Sequence, residues 1–477
     1  MIPYGLRVKT KSFVLLLPFL STACASRPID QAQPDDWKSG TRLQAQVYHA
    51  GSAKLFKTWH DTQLDMDCAF SPASDGQLRC QAVDGAQTDM YSDSNCTQPV
   101  WLPIGETQCN SEGSFYFRGF VPPTSICPSG VPPQYKAGPQ VTLPIVYTHD
   151  LTTGACGQAS GPTTVYTGTL VDPATLVAAQ SSVLPVGERL GVEQLTADDG
   201  ATQLRAISDR QRNFECMVTS GKEVDRCVPT TFATQNGQYT DANCMTAIAS
   251  YSTCGSPPSA VLVSPWVGSS CSSAKDLEND LAEVGPSVAT FDYDATSGQC
   301  VAEALNDPTI TGYSIGAPIP ATALAAITYK HEGGSGHVVA QTMAAPTGER
   351  LRALSLYDTK ARTDCYPGNT ADGQLRCIPS TLALATFFYA DANCTRPLVD
   401  VSKGCTPPTF AAVVGPSACG TAPYHLFRLG AAHPSTTLFE GDGGDCEPST
   451  GLGDSNYYEL GEEVDPTSFA AVTVSPE

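Results

Sequence analysis

The sequence has 477 residues, a formal net charge of -21, and many glycines (41) and prolines (37). Such a length suits about three domains rather than one, and this composition is typical of short strands joined by turns. An acidic surface repels phosphate backbones and anionic lipids, which excludes nucleic acid as a partner class, and it helps to keep an exported protein in solution.

The N-terminus reads as a targeting segment. Basic residues at 7, 9 and 11 precede an apolar run over 13–20, which is shorter than the roughly 18 residues that span a bilayer. The next residues, Leu-Ser-Thr-Ala-Cys at 20–24, resemble a bacterial lipobox in which Cys24 is lipidated, although Ser21 replaces the commoner branched apolar residue. We predict a signal peptide with a lipobox over 1–24 and a polar tether over 25–39. The alternative is ordinary signal cleavage after Ala25.

The remaining cysteines reveal the organisation of the chain. Besides Cys24 there are three sets of six with matching spacings, and such even numbers in an exported chain predict disulfides. The spacing leaves the pairing open, but the first two cysteines of each set flank a short hairpin loop and are predicted to pair. The sets are Cys68, Cys80, Cys96, Cys109, Cys127 and Cys156; Cys216, Cys227, Cys244, Cys254, Cys271 and Cys300; and Cys365, Cys377, Cys394, Cys405, Cys419 and Cys446.

Three β repeats follow from this register, over 40–186, 187–335 and 336–477. Each opens with two alternating segments around a turn, which predicts a hairpin. The predicted strand pairs are 42–49 with 55–61, 189–195 with 203–209, and 337–343 with 350–358.

A Tyr-x-Asp-x-Asn-Cys motif marks the middle of each repeat, at 91–96, 239–244 and 389–394. Its Asp and Asn predict a turn, since both side chains bond to nearby backbone groups. The alternative is a pair of calcium ligands, but the other carboxylates of a calcium loop are missing. Asp292 and Asp294 are further calcium candidates. We expect no other metal and no cofactor.

Each repeat ends in a similar way. A predicted hairpin carries a turn at 150–156, 294–300 or 442–446, and proline then opens an Ala-rich run at 173–179, 320–326 and 466–471. Proline followed by such a run predicts a single helical turn.

The Arg-Cys pairs at 79–80 and 376–377, together with the three Tyr-x-Asp-x-Asn-Cys motifs, resemble uncharacterised Cys-rich repeat lipoproteins of myxobacteria. That resemblance covers nearly the whole chain after the signal. It implies a domain of unknown function, an outer-membrane lipid anchor and no known site.

The fold class is all-β, with a threefold internal repeat of about 148 residues, the distance from Cys96 to Cys244. Two architectures fit. One is a closed, six-bladed, propeller-like ring. The other is a string of three disulfide-stapled β domains.

No catalytic motif occurs in the sequence, and an enzyme is the less favoured class. The leading prediction is an exported, lipid-anchored envelope protein at the cell surface or in the periplasm that binds a protein or glycan ligand. One alternative is a secreted hydrolase with a single-copy active site on the repeat scaffold. The other is a structural surface or stalk component.

The lipobox generates a direct prediction. Replacing Cys24 with Ser removes the thiol to which lipid is attached, so the protein should move from the membrane fraction to the soluble fraction. Ser21→Leu, which restores the commoner lipobox residue, should stay in the membrane fraction. Retention of Cys24→Ser in the membrane fraction would contradict the anchor.

Overall fold

A computed structural model defines the fold. It describes residues 36–83, 86–102, 115–120, 131–150, 154–219, 224–235, 237–263, 280–294, 299–304, 309–333, 336–403, 405–416, 422–434, 437–441, 446–449 and 455–477. Asp36–Glu477 is one compact unit. Its described residues contain strands, turns and three 3₁₀ turns, and no helix in that part could cross a membrane.

The first repeat contributes the strands up to residue 170. They are β1 Trp37–Lys38, β2 Leu43–Ala50, β3 Ala53–Asp61, β4 Met66–Pro72, β5 Leu78–Ala82, β6 Ala86–Gln87, β7 Met90–Tyr91, β8 Pro99–Trp101, β9 Tyr116–Arg118, β10 Gln134–Leu143, β11 Val146–His149, β12 Cys156–Ser160 and β13 Thr163–Leu170.

In its strand pairing the second repeat follows the 3₁₀ turn Pro173–Thr175, so β14 groups with it although 178–186 lie inside the bounds predicted for the first repeat. Its strands are β14 Ala178–Val186, β15 Leu190–Ala197, β16 Thr202–Asp209, β17 Phe214–Thr219, β18 Asp225–Pro229, β19 Phe232–Thr234, β20 Ile248–Ser252, β21 Ala260–Leu262, β22 Leu281–Val288, β23 Phe291–Asp294, β24 Gln299–Ala304 and β25 Ile310–Pro318.

The third repeat follows the 3₁₀ turn Ala321–Ala323, so β26 groups with it although 326–332 lie inside the bounds predicted for the second repeat, and it closes after the 3₁₀ turn Pro466–Ser468. Its strands are β26 Ala326–Glu332, β27 Val338–Ala344, β28 Arg350–Asp358, β29 Thr363–Asn369, β30 Leu375–Pro379, β31 Leu382–Tyr389, β32 Pro397–Ser402, β33 Phe410–Val414, β34 Tyr424–His433, β35 Leu438–Gly441, β36 Cys446–Ser449, β37 Ser455–Glu463 and β38 Thr473–Pro476.

All three predicted hairpins are confirmed. They are β2–β3, β15–β16 and β27–β28, each antiparallel. Alternation explains the first: Leu43, Ala45 and Val47 are fully buried on one face of β2. The predicted single helical turns are also present, as 3₁₀ turns that each begin at or just after the proline.

One large sheet connects the three repeats. The sheet consists of three sets of five strands, which are β38 with β2–β5, then β14–β18, then β26–β30. Neighbouring sets meet where β5 pairs with β14 and where β18 pairs with β26. At these seams the amide of Cys80 donates to the carbonyl of Val177 (3.0 Å), and that of Cys227 donates to Ala325 (2.9 Å).

The C-terminal segment forms the third seam. The Cys377 amide donates to the carbonyl of Ala470 (2.9 Å), and the Val472 amide donates to Leu375 (2.9 Å). Strand β38 then pairs with β2, the first long strand of the chain. The fifteen strands of the three sets therefore form a closed hydrogen-bonded circuit.

An arginine reinforces each seam. Arg79 donates to the carbonyl of Leu176 (2.8 Å), Arg226 to Leu324 (3.2 Å) and Arg376 to Phe469 (2.9 Å). Arg79 and Arg376 belong to the Arg-Cys pairs of the sequence, and Arg226 likewise precedes Cys227. All three arginines satisfy carbonyls that follow the 3₁₀ turns.

A second sheet accompanies each set of five strands. In the second repeat, β19, β20, β25, β22 and β21 form a closed barrel with β19 and β21 parallel. In the third, β31, β32, β37, β34 and β33 pair in the same cyclic order. In the first, the matching strands belong to an eight-stranded sheet.

The all-β class is confirmed, whereas the six-bladed propeller is not. Each repeat divides its described strands between a shared circuit and a small barrel or sheet, and not between two four-stranded blades. The shared circuit also differs from a string of separate domains, because hydrogen bonds run continuously from one repeat to the next.

The N-terminal end of the folded unit lies inside the predicted tether. Trp37 is buried and packs against Phe56, with 6.0 Å between ring centroids, and Trp37–Lys38 pairs with β16. The Asp36 carboxylate accepts from the Ala353 amide (2.5 Å) and pairs with Arg350. The predicted tether over 25–39 therefore ends by residue 35, because the burial of the indole ring fixes the residues around it.

The third seam predicts a pH-dependent stability. Hydrogen bonds from Arg376 and from the Thr370 hydroxyl lower the pKa of Asp372 from 3.8 to about 2. A lowered pKa contributes stability that is present above pH 3.8 and is lost as the pH falls towards 2. Asp372→Asn should therefore lower the unfolding free energy near neutral pH, by at most about 1 kcal/mol because the pair is solvent-screened.

Urea unfolding at several pH values measures this difference. It should shrink to nothing as the pH falls through the pKa of Asp372. Asp65→Asn is the control, because the Asp65 side chain is 96% exposed and lies away from the seam. A loss of unfolding free energy in Asp372→Asn that stays constant with pH would contradict a stabilising role of the ionised Asp372 carboxylate.

Candidate functional site

The Tyr-x-Asp-x-Asn-Cys motifs form turns, as predicted. Oxygens of the three aspartates accept backbone amides that follow them: Asp93 from Gln98 (2.7 Å), Asp241 from Thr246 (2.9 Å) and Asp391 from Arg396 (2.7 Å). Burial opposes ionisation, but these hydrogen bonds outweigh it and hold the pKa of each aspartate below its usual value. The carboxylates are thus committed to the turn.

The cysteine of each motif has a left-handed backbone, with φ of 53° at Cys96, 53° at Cys244 and 50° at Cys394. Each forms a disulfide with the last cysteine of its set, which begins or lies in the second strand of the closing hairpin. These bonds are Cys96–Cys156, Cys244–Cys300 and Cys394–Cys446. They fasten the motif turn to that hairpin.

The predicted pairing of the first two cysteines is confirmed in every repeat, as Cys68–Cys80, Cys216–Cys227 and Cys365–Cys377. Each joins adjacent strands of the shared sheet. Cys254 and Cys405 are disulfide-bonded as well. Cys24, Cys109, Cys127, Cys271 and Cys419 lie outside the described residues.

The calcium candidates receive no support from the described residues. Asp292 and Asp294 lie on β23, but their side chains are outside the description. No group of three or more His, Cys, Asp or Glu side chains among the described residues could hold a metal ion.

Histidines pair with carboxylates at several positions, which the sequence did not reveal, and two of these pairs also contact a tyrosine or a threonine. His149 Nδ1 lies 3.0 Å from Asp89 Oδ1, and the ring of Tyr91 packs edge-on against it at 4.9 Å. His433 Nδ1 lies 3.3 Å from Glu459 Oε1. The hydroxyl of Thr437 lies 3.2 Å from His433 Nε2.

A groove lies on the second repeat where its strands face the third. It consists of two adjoining cavities of about 640 and 540 Å³ that share Ala206, Ile207 and Glu215 as lining residues. The larger cavity is also lined by Tyr329 of β26 and Arg352 of β28. We call these two cavities the repeat 2 groove.

Apolar and charged groups alternate around the groove. Val183 and Leu354 at its margin are 52% and 40% exposed. The guanidinium of Arg205 pairs with Glu193 at 2.7 Å. Burial first, and then the hydrogen-bonded Asp225, raise the pKa of Tyr329, whose hydroxyl proton is engaged by Asp225. This mixture of apolar walls and a few polar groups is typical of ligand sites.

One carboxylate in this groove has different contacts from its equivalents in the first and third repeats. Strand pairing makes Asp67, Glu215 and Asp364 equivalent, one residue before a disulfide cysteine in each repeat. Asp67 accepts from His60 (3.0 Å), and Asp364 accepts from the Ser355 hydroxyl (2.9 Å). Glu215 is exposed and has no such partner among the described residues.

A comparison with protein families places the chain. It belongs to the DUF7481 family, a family of unknown function, whose model matches residues 19–282 and again residues 268–476. Each match is longer than one of the three repeats. No curated protein and no solved structure matches the chain. The predicted kinship with a family of unknown function is confirmed, and it assigns no role to any residue.

Proposed function

We propose that this protein is an exported binding module of the cell envelope that holds one ligand in the repeat 2 groove. The observation that carries the proposal is the free carboxylate of Glu215, in a position where the other two repeats use their carboxylates internally. Because Glu215 lines a cavity and does not make the internal contact of its two equivalents, its carboxylate is available to a ligand.

Export rests on two observations. Disulfides persist outside the reducing cytosol, and they join equivalent cysteines in all three repeats. The basic and apolar N-terminal segment supports a signal peptide, and Cys24 supports a lipid anchor at the outer membrane, as in the myxobacterial lipoproteins that the repeats resemble.

The ligand that we propose is a protein segment or a glycan. The groove offers both apolar contact, through Leu354 and Val183, and hydrogen-bond acceptors, through the Glu215 carboxylate and the Tyr329 oxygen. Its combined volume of about 640 and 540 Å³ suits a segment of a few residues or sugars.

The hydrolase alternative has one observation in its favour. Thr437, His433 and Glu459 lie in the order of a nucleophile, a base and an orienting carboxylate. However, His433 Nε2 also lies 3.3 Å from the carbonyl oxygen of Thr437, and the Thr437 hydroxyl also donates to Pro434 at 3.4 Å. These contacts tie the loop between β34 and β35, so we rank this function second.

The test is a screen of the whole mature protein on glycan and short-peptide arrays. Ala206→Arg places a long charged side chain between the two cavities, so binding by the wild type should be lost in this variant. Leu384→Glu is the control, because Leu384 is 47% exposed on β31, outside the residues that line the groove. Equal binding by wild type and Ala206→Arg, or no binding to either array, would contradict the proposal.

A further inference from the structure

We propose that Arg352 makes the repeat 2 groove specific for a ligand that carries a carboxylate group on an apolar body. This inference deepens the proposed function and rests on it. It concerns a single side chain of β28, which lines the larger of the two cavities.

Arg352 lacks the ion pair that several other arginines of the shared sheet form. Arg42, Arg189 and Arg376 pair with Asp61, Asp209 and Asp372 at 2.5–2.6 Å. The only hydrogen bond of Arg352 among the described residues runs from Nε to the carbonyl of its neighbour Ala353 (3.1 Å). Its two terminal nitrogens are therefore left for another acceptor.

Among the described residues, no carboxylate pairs with Arg352. The nearest acidic influence on Arg352 comes from Asp36, whose oxygens are already taken by Arg350 and by the Ala353 amide. Arg352 is half-buried, and burial lowers its pKa. Because an unpaired charge is costly to bury, an incoming anion would regain that energy.

The position is charged in one repeat only. Counting back from the equivalent aspartates Asp61, Asp209 and Asp358, the counterparts of Arg352 are Leu55 and Gln203. The Gln203 side chain has an internal role, since it accepts from the indole nitrogen of Trp59 (3.0 Å). The guanidinium is therefore not needed by the threefold scaffold.

The surroundings select a carboxylate over a phosphate. A guanidinium presents two parallel donors that match the two oxygens of a carboxylate. Glu193 and Glu215 line the same groove and would repel a dianion more strongly than a monoanion. Met217, Met343 and Leu354 beside Arg352 offer apolar contact for the body of the ligand.

The experiment titrates the whole mature protein with hexanoate and with its neutral analogue hexanamide, by calorimetry and saturation-transfer NMR. Hexanoate should bind the wild type about tenfold or more tightly than hexanamide, which lacks the charge. Arg352→Gln should weaken hexanoate binding about tenfold and leave hexanamide binding unchanged. Arg352→Lys keeps the charge but loses the two parallel donors of the guanidinium, so its affinity for hexanoate should lie between those of the wild type and Arg352→Gln.

Arg210→Gln is the matched control, because Arg210 lines the smaller cavity and its removal changes the charge of the groove equally. Equal binding of hexanoate and hexanamide to the wild type, or no binding of hexanoate, would overturn the inference; so would equal losses in Arg352→Gln and Arg210→Gln. The wild-type comparison can overturn the inference even if a variant fails to fold.

The outcomes separate this inference from the proposed function. If both probes bind equally and both are lost in Ala206→Arg, the groove is a binding site and only the role of Arg352 is wrong. If neither probe binds and the arrays also show no ligand that Ala206→Arg abolishes, the proposed function itself fails.

Discussion

The closed circuit of strands depends on how the chain ends. Residues after the 3₁₀ turn Pro466–Ser468 give a carbonyl to the Cys377 amide and another to Arg376, and they then lie beside β2. The same contacts occur inside the chain at the two other seams. A sheet that lacked the last segment would expose two edges, with unpaired amides and carbonyls that favour aggregation. The edges of β5 and β18 are thus paired by the strand that follows the next 3₁₀ turn, and the C-terminal residues pair the edge of β30 in the same way.

Much of this scaffold could be predicted from local patterns. The cysteine register predicted three copies, and period-two alternation predicted the hairpins because one face of each strand is buried, as for Leu43 and Val47. The pairing of Cys68 with Cys80 followed from its short loop. Each of these features depends on residues that are close in sequence.

The sheet order could not be predicted, because it joins strands from different repeats. The parallel pairing of β19 with β21 and the contact of Trp37 with Phe56 leave no periodic signal. Likewise, Arg42 and Asp61 are ordinary polar residues in the sequence, yet they form a half-buried ion pair between the start of β2 and the end of β3. The same pair recurs as Arg189 with Asp209. Aligning the copies would have revealed this recurrence.

The candidate site required the structure. Its lining comes from β14 to β17 and from β26 to β28, which are distant in sequence. The signal lies in departures between copies rather than in their agreement: Glu215 lacks the partner of Asp364, and Arg352 replaces Leu55 and Gln203. Residues that the copies share explain the fold, whereas residues that one copy alone carries are the candidates for function.

Three copies close into one sheet, and the residues of the repeat 2 groove differ from their equivalents in the other copies. Hydrogen exchange of the mature protein, read by mass spectrometry, tests the closure most directly. The account predicts that peptides covering 470–476 exchange as slowly as those covering 177–186 and 325–332, because all three hold the same place in the circuit. Exchange of 470–476 at the rate of an exposed loop would contradict the closed circuit.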